Sequence, residues 1–246
     1  MRRICIIGLA APSRDWALEQ PAGVELWGLN ETFNISGLPQ LDRLFNMHPR
    51  DWREQERKDR NDGVLPRPYE PNCFGRGFPY VEFLRDTSIP VYAQQEWWDI
   101  PASIEYPFED VRRSVGIKHR QASEPDALYA TNTVSYMLAL ALTEHMWGDT
   151  ISEIRMAGIE LQAGREMWIE KPCVEFYLGM ARGMGIEVLR SPYWSGILDG
   201  HRYALDPYPD LPPEIKDYES SYSDAWYEQM TAKEQETAGS AELYRV

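Results

Sequence analysis

Four small polar clusters in this chain are placed where side chains could do chemistry. Gly8 and Ser13 follow one apolar run, Asn30 and Glu31 a second, and Asn46 and His48 a third. The fourth is Thr131, Asn132, Thr133 and Ser135, just ahead of a long apolar helix, with Glu160 closing the strand that comes next. Each residue type has a task it can perform. Glycine lets backbone approach a ligand closely, and hydroxyls and free N–H groups at a helix entrance receive an anion. An Asn or an acid after a second strand can hydrogen-bond a ribose or a base edge. A histidine can move a proton near neutral pH. Glu160 can serve as a base, or as a Mg²⁺ ligand if the chemistry is phosphoryl transfer.

Each cluster also has a plainer reading. The Gly8–Ser13 stretch lacks a GxGxxG pattern or a P-loop lysine, and taken alone it reads more readily as an ordinary strand–helix turn. Asn30 reads equally as a helix cap. A lone His48 is more often structural, and Glu175 in the later helix can be a simple partner for its macrodipole. Significance comes from convergence: in a doubly wound sheet, ligands sit beyond the carboxyl ends of the strands.

The elements that must position these groups are short apolar runs separated by helix-length segments. Strands are predicted over 3–7, 24–29, 41–45, 89–93, 154–159 and 186–189, with 103–106 a short extension of the fourth. Helices are predicted near 16–19, over 78–85, from Thr131 through Thr143, and from Pro172 to Gly185. The pattern predicts an α/β, Rossmann-like, doubly wound and mostly parallel sheet with helices on both faces. Residues 50–77, charged and then rich in Pro and Gly, form a lid candidate or a plain insertion. The expected domain spans 1–205. Residues 206–246 read as a Pro-rich linker and an acidic, aromatic helical extension over 218–233, a surface for docking or homo-oligomer formation.

Composition excludes several classes. A formal charge of −14 argues against a broad nucleic-acid-binding surface. The basic residues between Arg50 and Arg60 alternate with acids and read as a solvated helix face. No apolar run reaches the roughly 20 residues that cross a bilayer, so no membrane association and a cytoplasmic location are expected. Cys5, Cys73 and Cys173 lie far apart and the four histidines are scattered, so buried thiols are expected and a metal site is not.

Taken together, Gly8 with Pro12 and Ser13, Trp27-Gly-Leu-Asn30, the Thr131 to Ala141 helix entrance and Ala157-Gly-Ile-Glu160 resemble a family of Rossmann-like proteins carried by tailed bacteriophages. That family is similar in turn to the family-42 sialyltransferases and to archaeal pterin pyrophosphokinase-like proteins. The resemblance covers residues 3 to 205, and the segment from Pro172 to Ile186 is especially close to the phage versions. It implies metal-independent transfer from a nucleotide donor in the host cytoplasm. Ser13 and Asn30 would hold phosphate and ribose, and Gly8, Thr131, Asn132, Thr133 and Ser135 would line the crevice. Glu160 stands where relatives carry Asp. Gln162 and Trp168 match two tyrosines that clasp the leaving phosphate in the transferases, and His201 and His48 are candidates for the catalytic histidine. The leading expectation is a glycosyltransferase-like, nucleotide-binding transferase. Its competitors are a phage protein that sequesters a nucleotide without turnover, and a Mg²⁺-dependent pyrophosphoryl transferase.

Overall fold

Alternate residues of a strand point to opposite faces, so a strand apolar at every position can be buried on both. The first strand, β1 (Arg2–Ile7), shows this directly. Ile4 and Ile6 enter one hydrophobic cluster while Cys5 and Ile7 enter another, all four fully buried. The same alternation continues in β2 (Val24–Leu29), where Val24 and Leu26 face one way and Trp27 the other. The remaining strands are β3 (Arg43–Asn46), β4 (Val91–Ala93), β5 (Ser103–Glu105), β6 (Ile151–Ala157) and β7 (Glu187–Arg190). They form a seven-stranded sheet in the order β5-β4-β3-β2-β1-β6-β7, and every pairing is parallel. The structure is a computed structural model and describes residues 1–10, 13–49, 80–118, 127–161, 169–193 and 197–198.

Both faces are covered. On one side lie a 3-10 helix (Ser13–Glu19) and α1 (Tyr80–Asp86), which contribute Ala17 and Leu84 to their cluster. On the other lie α2 (Phe108–Val115), α3 (Thr133–Met146) and α4 (Lys171–Gly183). The central helix, α3, is buried nearly all round from Val134 to Thr143, so its Met and Leu side chains are core. The architecture is thus a Rossmann-like α/β sheet. Among the described residues, no helix is long and apolar enough to cross a membrane.

Several boundaries differ from the sequence-based expectation. Residues 103–105 are not an extension of β4 but a separate edge strand, paired with it in parallel from Val91↔Ser103 to Ala93↔Glu105. Strand β6 begins at Ile151 rather than 154 and ends at Ala157, because Gly158 turns the chain with φ +67°. Helix α2 was not anticipated. The expected lid at 50–77 and the tail from 206 lie outside the described residues.

The strand order reverses between β1 and β6. Strands β1 to β5 are laid down in one direction, and β6 then returns to the free side of β1. This is the topological switch point at which open α/β sheets bind ligands, at the carboxyl ends of the strands.

Candidate functional site

At the switch point the turns after β1 and β6 do not diverge at once. Gly8 N–H donates to Ala157 O at 2.8 Å, and Ala10 N–H donates to Gly158 O at 3.0 Å. The backbones are so close that a Cβ on Gly8 would stand 2.2 Å from Gly158 O. One on Gly158 would stand 2.4 Å from Gly8 O. Glycine at both positions is therefore a steric requirement of the zipped turns.

Above this seam the first turn and the acid meet. Ser13 opens the 3-10 helix and is fully buried, and its Oγ–H donates to Glu160 Oε1 at 2.9 Å. Ala10 O, at 3.3 Å, is the alternative acceptor. A hydroxyl has one hydrogen, so when Ser13 donates to Glu160 it has none left for a phosphate, though its lone pairs remain. The arrangement fixes the carboxylate on a half-buried shelf between β1 and β6. The next residue, Leu161, is buried yet sits at φ +50°. That left-handed conformation is uncommon for a leucine and costs on the order of 1 kcal/mol.

One strand to the other side, β2 ends at Asn30, which also has positive φ, +48°. Its N–H donates to Phe45 O at 2.9 Å, whereas its side-chain Oδ1 is buried with no hydrogen-bond partner among the described residues. Glu31 and Thr32 beside it are buried. Thr32 packs where a Cβ on Gly28 would fall, 2.1 Å from its Oγ, which explains that glycine. Strand β3 contributes buried Asn46 and then half-exposed His48. Gln94, after β4, donates to Met47 O at 2.7 Å and ties these two strand ends together.

The entrance of α3 completes the carboxyl edge. Asn132 caps the helix: its side chain accepts from Ser135 N–H at 2.8 Å, and the Ser135 hydroxyl donates back to Asn132 O at 2.7 Å. Asn132 Nδ2 also reaches Glu170, at 3.4 Å. Thr131 Oγ1 donates to Ile169 O at 2.9 Å and lies 2.8 Å from Cys173 Sγ. Thr133 occupies the first helical position, half-buried. These polar groups are thus partly spent on capping and on docking the start of α4, which narrows what they can offer a ligand.

The structure brings Gly8, Ser13 and Glu160 together, with Asn30 one strand away. His48 does not join them, because β2 and β1 stand between β3 and β6. At about 4.8 Å per strand, their exits are about 14 Å apart. One reacting atom cannot be served by both His48 and Glu160 without movement. Gln162, Trp168 and His201 lie outside the described residues. Among those described, no group of three metal-ligating side chains converges. Cys5 and Cys173 are free and buried, as expected, and burial pushes the Cys5 thiol up to about 12, so it is not a nucleophile.

Sequence reasoning passed over Arg14. It follows Ser13 directly, and its Cβ stands 2.6 Å from where a Gly158 Cβ would be, so the side chain starts against the β6 turn. Its position one residue after a turn serine was the available signal. Comparison with protein-family models, with curated proteins and with solved structures gave no match.

Proposed function

We propose that this chain is a nucleotide-binding transferase that takes an activated nucleotide donor, most like a glycosyltransferase, and works in the cytoplasm. The observation that carries the reading is the Ser13–Glu160 hydrogen bond across the β1/β6 switch point. It holds a carboxylate, oriented and half-buried, at the place where doubly wound sheets present ligands to catalytic groups. Glu160 acts as the base that takes a proton from the acceptor hydroxyl, and Ser13 positions it. Asn30 supports the donor side. Its unpaired Oδ1 offers an acceptor to a ribose hydroxyl or a base N–H, and a buried acceptor left without a partner is costly unless a ligand supplies one.

Thermal-shift measurements against nucleotides and nucleotide sugars, with and without Mg²⁺, test the reading. The expected result is stabilisation by one nucleotide class without a metal requirement, followed by turnover with an acceptor. Glu160→Gln should keep donor stabilisation and lower turnover by about 10²- to 10⁴-fold. Stabilisation by no nucleotide would end the proposal. Stoichiometric capture without turnover would make the chain a sequestering protein, and a Mg²⁺ requirement would indicate pyrophosphoryl transfer.

A further inference from the structure

We propose that Arg14 is the anion-binding residue of the switch-point site and holds a phosphate group of the ligand. The inference rests on the reading that the site takes a phosphorylated donor, and adds which residue meets the charge.

It begins with the donors this edge has already committed. The single Ser13 hydrogen goes to Glu160 or Ala10 O, and the Ser135 N–H goes to the Asn132 side chain. The neighbouring cations are committed too. Arg155 is paired with Glu153 and donates to Gln20, and Lys171 lies 3.7 Å from Glu175. Arg2 and Arg43 are bound to carboxylates at the opposite edge of the sheet.

Arg14 differs from all of these. Its Nε is buried and has no hydrogen-bond acceptor among the described residues. Its one ion pair among the described residues is a long one, 3.5 Å from Nε to the exposed carboxylate of Asp15. A guanidinium N–H withdrawn from water without an acceptor is unfavourable, and burial of that kind persists where something else supplies the acceptor. The side chain as a whole keeps 26% of its surface exposed, so it is not sealed off from solvent. Its Cβ packs against the Gly158 turn that follows β6.

Charge logic gives the same answer. A base carboxylate at Glu160 and an anionic donor repel each other if nothing stands between them, in a region of reduced dielectric. A cation one residue from Ser13 offsets that repulsion. A guanidinium does so with a planar fork matched to phosphate oxygens, which a lysine lacks. The division of labour follows: Ser13 orients Glu160, and Arg14 takes the phosphate.

The test uses the full chain and inorganic pyrophosphate, at constant ionic strength so that general screening cancels. Wild-type protein should be stabilised by pyrophosphate, with R14Q weakening the apparent affinity about 10- to 100-fold and R14K falling between. Asp15→Asn, which frees the guanidinium from the Asp15 carboxylate, should tighten binding and serves as the reciprocal variant should R14Q fold poorly. No pyrophosphate stabilisation of the wild type, equal stabilisation of R14Q, or no gain in Asp15→Asn would each overturn the assignment. The two proposals fail separately. Pyrophosphate binding through Arg14 with no nucleotide bound would leave this site standing without the transferase reading. Nucleotide binding indifferent to R14Q would do the reverse.

Discussion

The two edges of the sheet use polar residues in opposite ways. At the amino edge, Arg2 grips Glu25 with two hydrogen bonds, 2.6 and 2.7 Å, and reaches Glu144 at 2.8 Å. Arg43 meets the other oxygen of Glu144 at 2.5 Å and stacks its guanidinium 4.4 Å over the Trp27 ring. Trp27 Nε1–H donates to Glu25 at 3.2 Å, so that β1, β2, β3 and the end of α3 share one closed network. At the carboxyl edge, Asn30 Oδ1 and Arg14 Nε are buried without hydrogen bonds among the described residues. All three non-glycine residues with positive φ among those described, Asn30, Leu161 and Leu198, follow strands β2, β6 and β7 at this same edge. One edge is satisfied and the other is under tension. Backbone strain and unmet polar groups collect where a protein binds something, because the geometry serves the complex rather than the free chain.

If that contrast is real, substitutions at the amino edge should cost stability and leave ligand binding alone. Glu144→Gln gives the largest expected effect. It removes the charge shared by Arg2 and Arg43, whose side chains are 23% and 19% exposed. Breaking a fully buried pair costs about 3–5 kcal/mol, and partial solvent screening here reduces the expectation to about 2 kcal/mol. For a chain of this size that lowers Tm by about 4–8 °C. Calorimetry checks the loss, and nucleotide or pyrophosphate stabilisation measured relative to the variant's own Tm should be unchanged. A loss of ligand response would mean that the two edges are coupled.

The contrast also explains which parts were legible in the sequence. Strands β1 and β2 could be read because both faces are buried and the apolar run is nearly unbroken. Strand β5 was read only as an extension of β4, since Ser103 and Glu105 give no apolar pattern of their own and its register is set by β4. Strand β6 was read three residues late because Ser152, Glu153 and Arg155 are half-exposed within it. Helix α2 buries only Val111 and Val115, too few to announce a helix. Among the candidate residues, Gly8, Ser13, Asn30 and Glu160 were legible singly, by their types at the ends of apolar runs. Their pairing was not, because Ser13 and Glu160 are 147 positions apart and meet only through the β1–β6 adjacency. Arg14 offered only its position after a turn serine: what distinguishes it is a missing partner among the described residues, and partners are a property of the fold.

Asn30→Gly sharpens the comparison from the other side. Glycine accepts φ +48° without strain, and the substitution deletes a buried acceptor that has no donor. Against this stands the extra backbone entropy of glycine in the unfolded chain. The net expectation is a stability change between zero and about +1 kcal/mol, with nucleotide stabilisation weakened about tenfold. Chemical denaturation and ligand titration on the same preparation read both quantities. A marked loss of stability would show that Asn30 serves the fold.

The smallest effect concerns acid. The Arg2 hydrogen bonds hold the Glu25 carboxyl below its ordinary value of 4.5, with Trp27 and Arg43 acting in the same direction and burial opposing them. Since the folded value lies below the unfolded one, the stabilisation is fully present above about pH 4.5. It is lost progressively as pH falls from there through the folded value. Glu25→Gln should therefore flatten the acid limb of the stability curve, by less than about 1 kcal/mol because the carboxylate is partly exposed. Among the described residues the carboxyl edge has no counterpart to this network, so the same titration on Asn30→Gly should retain the wild-type acid limb. If Asn30→Gly flattened it as Glu25→Gln does, the distinction between a satisfied edge and a strained one would not describe how this chain stores its electrostatic stability.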